Sequence, residues 1–170
     1  MDSENQSVKE IKPSELGNEV KFSDIKPIKG INIDLEQYDK KEVVIGQLEV
    51  TQVPSEFTSL IEGTEQHHMQ WILKVSSEVL ETIGEGEDKI EFRASELFNL
   101  IQNDKGQLEG FPTGKSSNLM KFMNDLKIEK PEEMKDLQEV IDSIKGKKTL
   151  VKTYKKEQNG KTKTYLKFRY

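Results

Sequence analysis

The dipeptide Asn159-Gly160, set between the runs "KKTLVKTYKKEQ" and "KTKTYLKFRY", constrains the fold of this chain more than any other feature. Both central residues of a type I′ turn need positive φ, and Asn followed by Gly meets that need at little steric cost, so the pair predicts a two-residue hairpin. Counting outward then fixes the register. Gln158 faces Lys161, Lys156 faces Lys163, Tyr154 faces Tyr165, Lys152 faces Lys167 and Leu150 faces Arg169. The alternate pairs are Lys155 with Thr164, Thr153 with Leu166 and Val151 with Phe168. Side chains alternate across a strand, so one face is mostly apolar and the other carries lysines around two tyrosines.

That hairpin belongs to a basic segment in an acidic chain. The 170 residues hold 26 Lys plus Arg and 31 Asp plus Glu, a net charge of -5. Residues 145 to 170 contain ten basic side chains and one acid, 10 - 1 = +9, which leaves -14 for residues 1 to 144. A split of this kind points to contact with a polyanion. The register also opposes like charges twice, at Lys156 with Lys163 and Lys152 with Lys167, an arrangement that destabilises a hairpin unless something negative compensates. Two sources are open: a ligand, or the protein's own acids at Glu49 or in the helix "PEEMKDLQEVID". The tyrosine pair is likewise either a stacking platform for bases or packing beneath a helix.

Upstream, residues 1 to 18 are polar without a period, which predicts a flexible tail. The stretch "VKFSDIKPIKGINIDLEQYDKK" alternates weakly and offers one short strand. "EVVIGQLEVTQV" reads as a strand in which Gly46 marks a bulge or sharp bend. "HMQWILKVSSEVL" alternates with Met69, Trp71, Leu73 and Val75 on one side, and "KIEFRA" makes a third strand. Ser95 then caps a short helix carrying Leu97, Phe98, Leu100 and Ile101. Ser116 or Ser117 caps a second, with an apolar stripe from Leu119 to Leu126, and a third begins at Pro131 and ends at Gly146.

Several chemistries are disfavoured. "EGFPTGKSSN" suggests a phosphate loop, but Gly110 stands one residue too close to Gly114, Glu109 occupies the glycine position, and no buried strand precedes it. The chain has no cysteine, and His67 and His68 are neighbours whose side chains point apart on a strand, so a His or Cys metal site is not expected. No cofactor is implied, and no carboxylate joins a nucleophile or base, so no enzyme is expected. No apolar run reaches membrane-spanning length and no signal peptide is evident, which predicts a soluble, cytoplasmic protein.

Taken in order, "EVVIGQLEV", "HMQWILKVSSEVL", "KIEFRASELF" and "LVKTYKKEQNGKTKTYLKFRY" resemble the OB-fold single-stranded DNA-binding proteins of phages and archaea. The resemblance covers residues 40 to 170 and rests on element order. It implies an α+β chain, mainly β, whose single domain (19 to 170) is a five-stranded Greek-key barrel with two or three helices inserted between strands three and four. A mixed sheet packed by helices is the alternative. The resemblance further implies a groove across strands two and three, between the loops "PSEFTSLIEGTEQHH" and "KEQNGK", presenting Gln70, Lys74, Arg93 and either Trp71 or Phe57. Alternation places Trp71 with the core.

The expected activity is therefore non-catalytic binding of single-stranded nucleic acid, DNA before RNA, in replication, recombination or repair. The binding residues are Lys74, Arg93, Lys152, Tyr154, Lys156, Lys161, Lys163, Tyr165, Lys167 and Arg169. The rival reading is a protein-interaction module in which the acidic body docks a protein partner and the basic hairpin is structural.

Overall fold

Two segments rich in β-branched residues, the short segment "SELFN" and the Asn-Gly hairpin come together in a single antiparallel sheet. The computed structural model describes residues 34 to 169, so the tail expected at residues 1 to 18 lies outside the described residues, as does the part of the weakly alternating stretch from 20 to 33. The described part of that stretch, 34 to 41, holds a 3-10 turn, Leu35–Tyr38, and no strand. The strands in chain order are β1 (Glu42–Val53), β2 (Gln70–Ser77), β3 (Glu81–Ile83), β4 (Ile90–Phe92), β5 (Ser95–Asn99), β6 (Ile101–Gln102), β7 (Leu108–Gly110), β8 (Lys148–Gln158) and β9 (Lys161–Arg169). Two helices, α1 (Asn118–Asp125) and α2 (Leu137–Ile144), stand between β7 and β8. The main sheet has the order β5-β2-β1-β8-β9, while β3 with β4 and β6 with β7 form separate two-stranded ribbons.

β1 serves two partners. Glu42 to Val44 pair with β8, Ile45 to Val53 pair with β2, and the register shifts between Ile45 and Gln47. The strand thus turns from one neighbour to the other at Gly46, the bend anticipated from its glycine. Only three register pairs, Glu42 with Leu150, Val43 with Thr149 and Val44 with Lys148, join the first half of the sheet to the last.

β5 corrects the sequence reading. Ser95 to Ile101 was expected to be helical, but Ala94, Phe98 and Leu100 are buried whereas Leu97 and Ile101 are exposed. Two outward apolar residues on a period-2 strand mimic a helical stripe, and the free edge of β2 supplies a hydrogen-bonded partner from Ile72 to Ser76. The third strand of the sheet is therefore β5, and "KIEFRA" forms only the second arm of the β3–β4 ribbon.

The inner face of the sheet is covered by the helices. α1 buries Leu119, Met120, Phe122 and Met123, and α2 buries Val140 and Ile144. Pro131 starts only a single 3-10 turn, and α2 begins later, capped by Asp136. Phe122 stacks between Phe98 and Phe168, with ring centroids 5.1 and 5.5 Å apart, which ties α1 to both outer strands. β5 and β9 share no ladder, so the sheet is not closed into a barrel. The class is α+β with β dominant, and the sheet is wholly antiparallel, not mixed.

Candidate nucleic-acid interface

The hairpin β8–β9 has the register that its turn dictates, pair for pair from Leu150 with Arg169 to Gln158 with Lys161. Asn159 and Gly160 adopt φ of 52° and 76°, the two positive values of a type I′ turn. Near its base the hairpin has an inward face, where Val151, Leu166 and Phe168 are buried. Farther out that face is made of Lys155, Glu157, Thr162 and Thr164, and every residue from Tyr154 to Lys163 is exposed. The outer half is thus a ribbon wetted on both sides, where a one-sided hairpin was expected.

The ribbon is braced at its root. Val151 exchanges backbone hydrogen bonds with Lys40 (2.7 Å) and Lys41 (2.9 Å), and Thr153 N–H donates to Asp39 Oδ1 at 3.0 Å. These residues follow a 3-10 turn, Leu35–Tyr38, whose Glu36 pairs with Lys155. The turn is anchored in its own right: the Tyr38 hydroxyl donates to Glu81 Oε2, with the Leu80 carbonyl 3.2 Å away. That hydrogen bond, then burial, then the Glu81 charge, hold the phenol above its usual pKa.

On the outward face, Tyr154 is 42% exposed and Tyr165 is half-buried. Each ring carries a cation from its own strand, Lys152 Nζ at 4.9 Å from the Tyr154 centroid and Lys163 Nζ at 5.2 Å from that of Tyr165. The two like-charge pairs have different fates. Lys167 Nζ reaches Glu96 Oε1 on β5 at 3.2 Å, which relieves the pair with Lys152. Among the described residues, no carboxylate lies within ion-pair distance of Lys152, Lys156, Lys161 or Lys163. Among the described residues the acids that pair with hairpin lysines are Glu96 with Lys167, Glu36 with Lys155 and Glu42 with Lys148, and neither Glu49 nor the α2 segment makes such a pair.

The groove residues separate from this set. Lys74 is exposed on β2 opposite Glu49, on a stretch of β1 that has no β8 partner, so it does not join the ribbon. Arg93 is a structural tie: Nη1 donates to the Ser77 carbonyl at 3.1 Å and Nη2 lies 3.5 Å from Glu91. Gln70 Nε2 is spent on the Leu100 and Trp71 carbonyls. Trp71 packs against the core and donates its indole N–H to the Gly106 carbonyl at 2.9 Å. Phe57, by contrast, is 97% exposed. Arg169 lies opposite Leu150 at the hairpin base, away from the tip.

Strand parity assigns Lys155 to the inner face, yet it is exposed. The polarity of both parities beyond Thr153 was the signal for a ribbon without a core side. Among the described residues no three acidic or histidine side chains gather as metal ligands, and no helix is long and apolar enough to cross a membrane. No protein family, curated protein or solved structure matches the chain.

Proposed function

We propose that this protein binds single-stranded nucleic acid, DNA in the first instance, without catalysing a reaction on it, and that it serves replication, recombination or repair. The observation that carries the reading is the ribbon: two tyrosine rings opposite each other, flanked by Lys152, Lys156, Lys161 and Lys163, none of which has a described carboxylate partner. Cations that track a phosphate chain, with flat rings between them for bases, suit sequence-tolerant single-strand binding. An OB-like architecture is part of the proposal. It draws support from the strand order, from the bend of β1 at Gly46, and from the Lys167–Glu96 contact that brings β9 beside β5 where a barrel seam would lie.

The test is a titration of a labelled homopolymer strand at several salt concentrations. Log affinity is expected to fall linearly with log salt, by about 0.7 for each phosphate contact. Tyr154→Ala is expected to weaken binding by about 1 to 3 kcal/mol and leave the slope alone, because stacking releases no counterions. Lys156→Ala or Lys163→Ala should flatten the slope by about 0.7 each, and Lys167→Ala by less, since Glu96 already holds its charge. Absence of binding at low salt would sink the proposal.

A further inference from the structure

At the opposite end of β1 from the ribbon lies a surface of the contrary character. The loop between β1 and β2, with the start of β2, is fastened to the β6–β7 hairpin by four contacts. Ser59 Oγ donates to the Asp104 carbonyl at 2.7 Å, and Gln102 Nε2 donates to the Met69 carbonyl at 2.9 Å. Trp71 Nε1 donates to the Gly106 carbonyl, and the His68 ring lies against Gly106 so closely that a Cβ there would stand 2.6 Å from Nδ1. The segments so joined, called the platform here, carry six exposed apolar side chains, Phe57, Leu60, Ile61, Met69, Ile101 and Leu108. Phe57 and Ile101 share one cleft of about 330 Å³. Isolated exposed apolar residues are ordinary, but Phe57 and Ile101 lining one cleft, with four more on the segments fastened around it, mark an interaction surface.

The rim decides the partner. Residues 54 to 69 hold Glu56, Glu62 and Glu65 and no Lys or Arg, and residues 100 to 110 add Asp104 and Glu109 against Lys105. Five acids and one base give the two segments 1 - 5 = -4, and Asp104 lines the cleft of Phe57 and Ile101. The matching surface is cationic with aromatic side chains, and this chain carries one in its own ribbon, Tyr154 and Tyr165 among lysines. The ribbon cannot reach its own platform. Because β1 and β8 are antiparallel, the ribbon leaves the sheet beyond Glu42, the first residue of β1, whereas the loop starts beyond Val53, its last.

We propose that the ribbon of one copy docks on the platform of a second, with lysines against the acidic rim and tyrosines against Phe57 and its neighbours. Such a contact joins two different surfaces, so a docked pair keeps one free platform on one copy and one free ribbon on the other, and association proceeds head to tail without closing at a dimer. The inference does not depend on nucleic-acid binding, although a bound strand would compete for the same ribbon.

Sedimentation velocity of the full chain tests it. At low salt the average sedimentation coefficient should climb with concentration without a plateau at two copies, and it should return to the monomer value at about 1 M salt, where the screening length is about 3 Å. Glu62→Lys with Glu65→Lys should be monomeric at concentrations where the parent chain associates. That change moves the net charge from -5 to -5 + 4 = -1, so lost association cannot come from added repulsion. Lys156→Glu with Lys163→Glu should be monomeric too. All four positions are exposed, so both variants are expected to keep the parent circular dichroism. An equimolar mixture is decisive, because the first variant retains a ribbon and the second a platform: it should form a species of two chains and nothing larger. A parent chain that stays monomeric at low salt, variants that associate like the parent, or a mixture that stays monomeric would each overturn the proposal. The platform variant should still bind the homopolymer strand, which separates failure of docking from failure of the nucleic-acid reading.

Discussion

Ser116 and Ser117 are chemically identical neighbours, and one hydrogen bond separates their roles. Ser117 Oγ accepts from Met120 N–H at 3.2 Å and caps α1, while Ser116 is exposed. Ser117→Ala is therefore expected to cost about 1 kcal/mol in urea denaturation, and Ser116→Ala less than about 0.5. Sequence alone could not choose between them, because either serine precedes the apolar stripe by a permissible spacing. Arg93 and Gln70 were opaque for a related reason, since their partners are backbone carbonyls, which any residue supplies. Tyr38 yields a pH prediction. Its phenol pKa is raised from 10.0 in the folded chain, so the folded state holds the proton more tightly than the unfolded one. Its contribution is fully present below pH 10 and is lost as pH rises through the folded value. Tyr38→Phe should flatten that alkaline decline in a pH series of urea midpoints.

At the scale of elements, legibility followed from how local the determining forces are. The hairpin register was readable residue by residue because two backbone dihedrals at Asn159 and Gly160 set it. The sequence of β5 reads as a helix because a short helix and a short strand differ little in intrinsic preference, and the deciding influence is the edge of β2, which no local window contains. The Pro131 turn shows the same limit: a proline marks where helical backbone can begin without making it persist. The ribbon tip allows a clean test of the turn. A Cβ on Gly160 would meet no atom within 4 Å, so only its φ of 76° opposes a side chain. Gly160→Ala should cost the turn about 1 kcal/mol. Amide hydrogen exchange should quicken from Tyr154 to Tyr165 and stay unchanged at Val75, since the tip is exposed and contributes nothing to the core.

For the molecule as a whole, the Phe98–Phe122–Phe168 stack is the joint through which β5, α1 and β9 hold together. Phe122 is fully buried, and Phe122→Ala is expected to lower stability by about 3 to 5 kcal/mol in a denaturant titration, because the cavity opens where three elements meet. The candidate site was legible at this scale only in part. The charge split pointed to the ribbon, whereas the acidic platform arises from two segments about 40 residues apart that only tertiary structure brings together. The two-partner strand β1 has a consequence in time. During synthesis Val44 is made about a hundred residues before Lys148, an interval of about 5 to 20 s at about 5 to 20 residues per second. For that interval the edge from Glu42 to Val44 has no strand to pair with. Its backbone donors and acceptors are open to any passing chain, and the charges at Lys40, Lys41 and Glu42 guard a place that the finished protein has already filled.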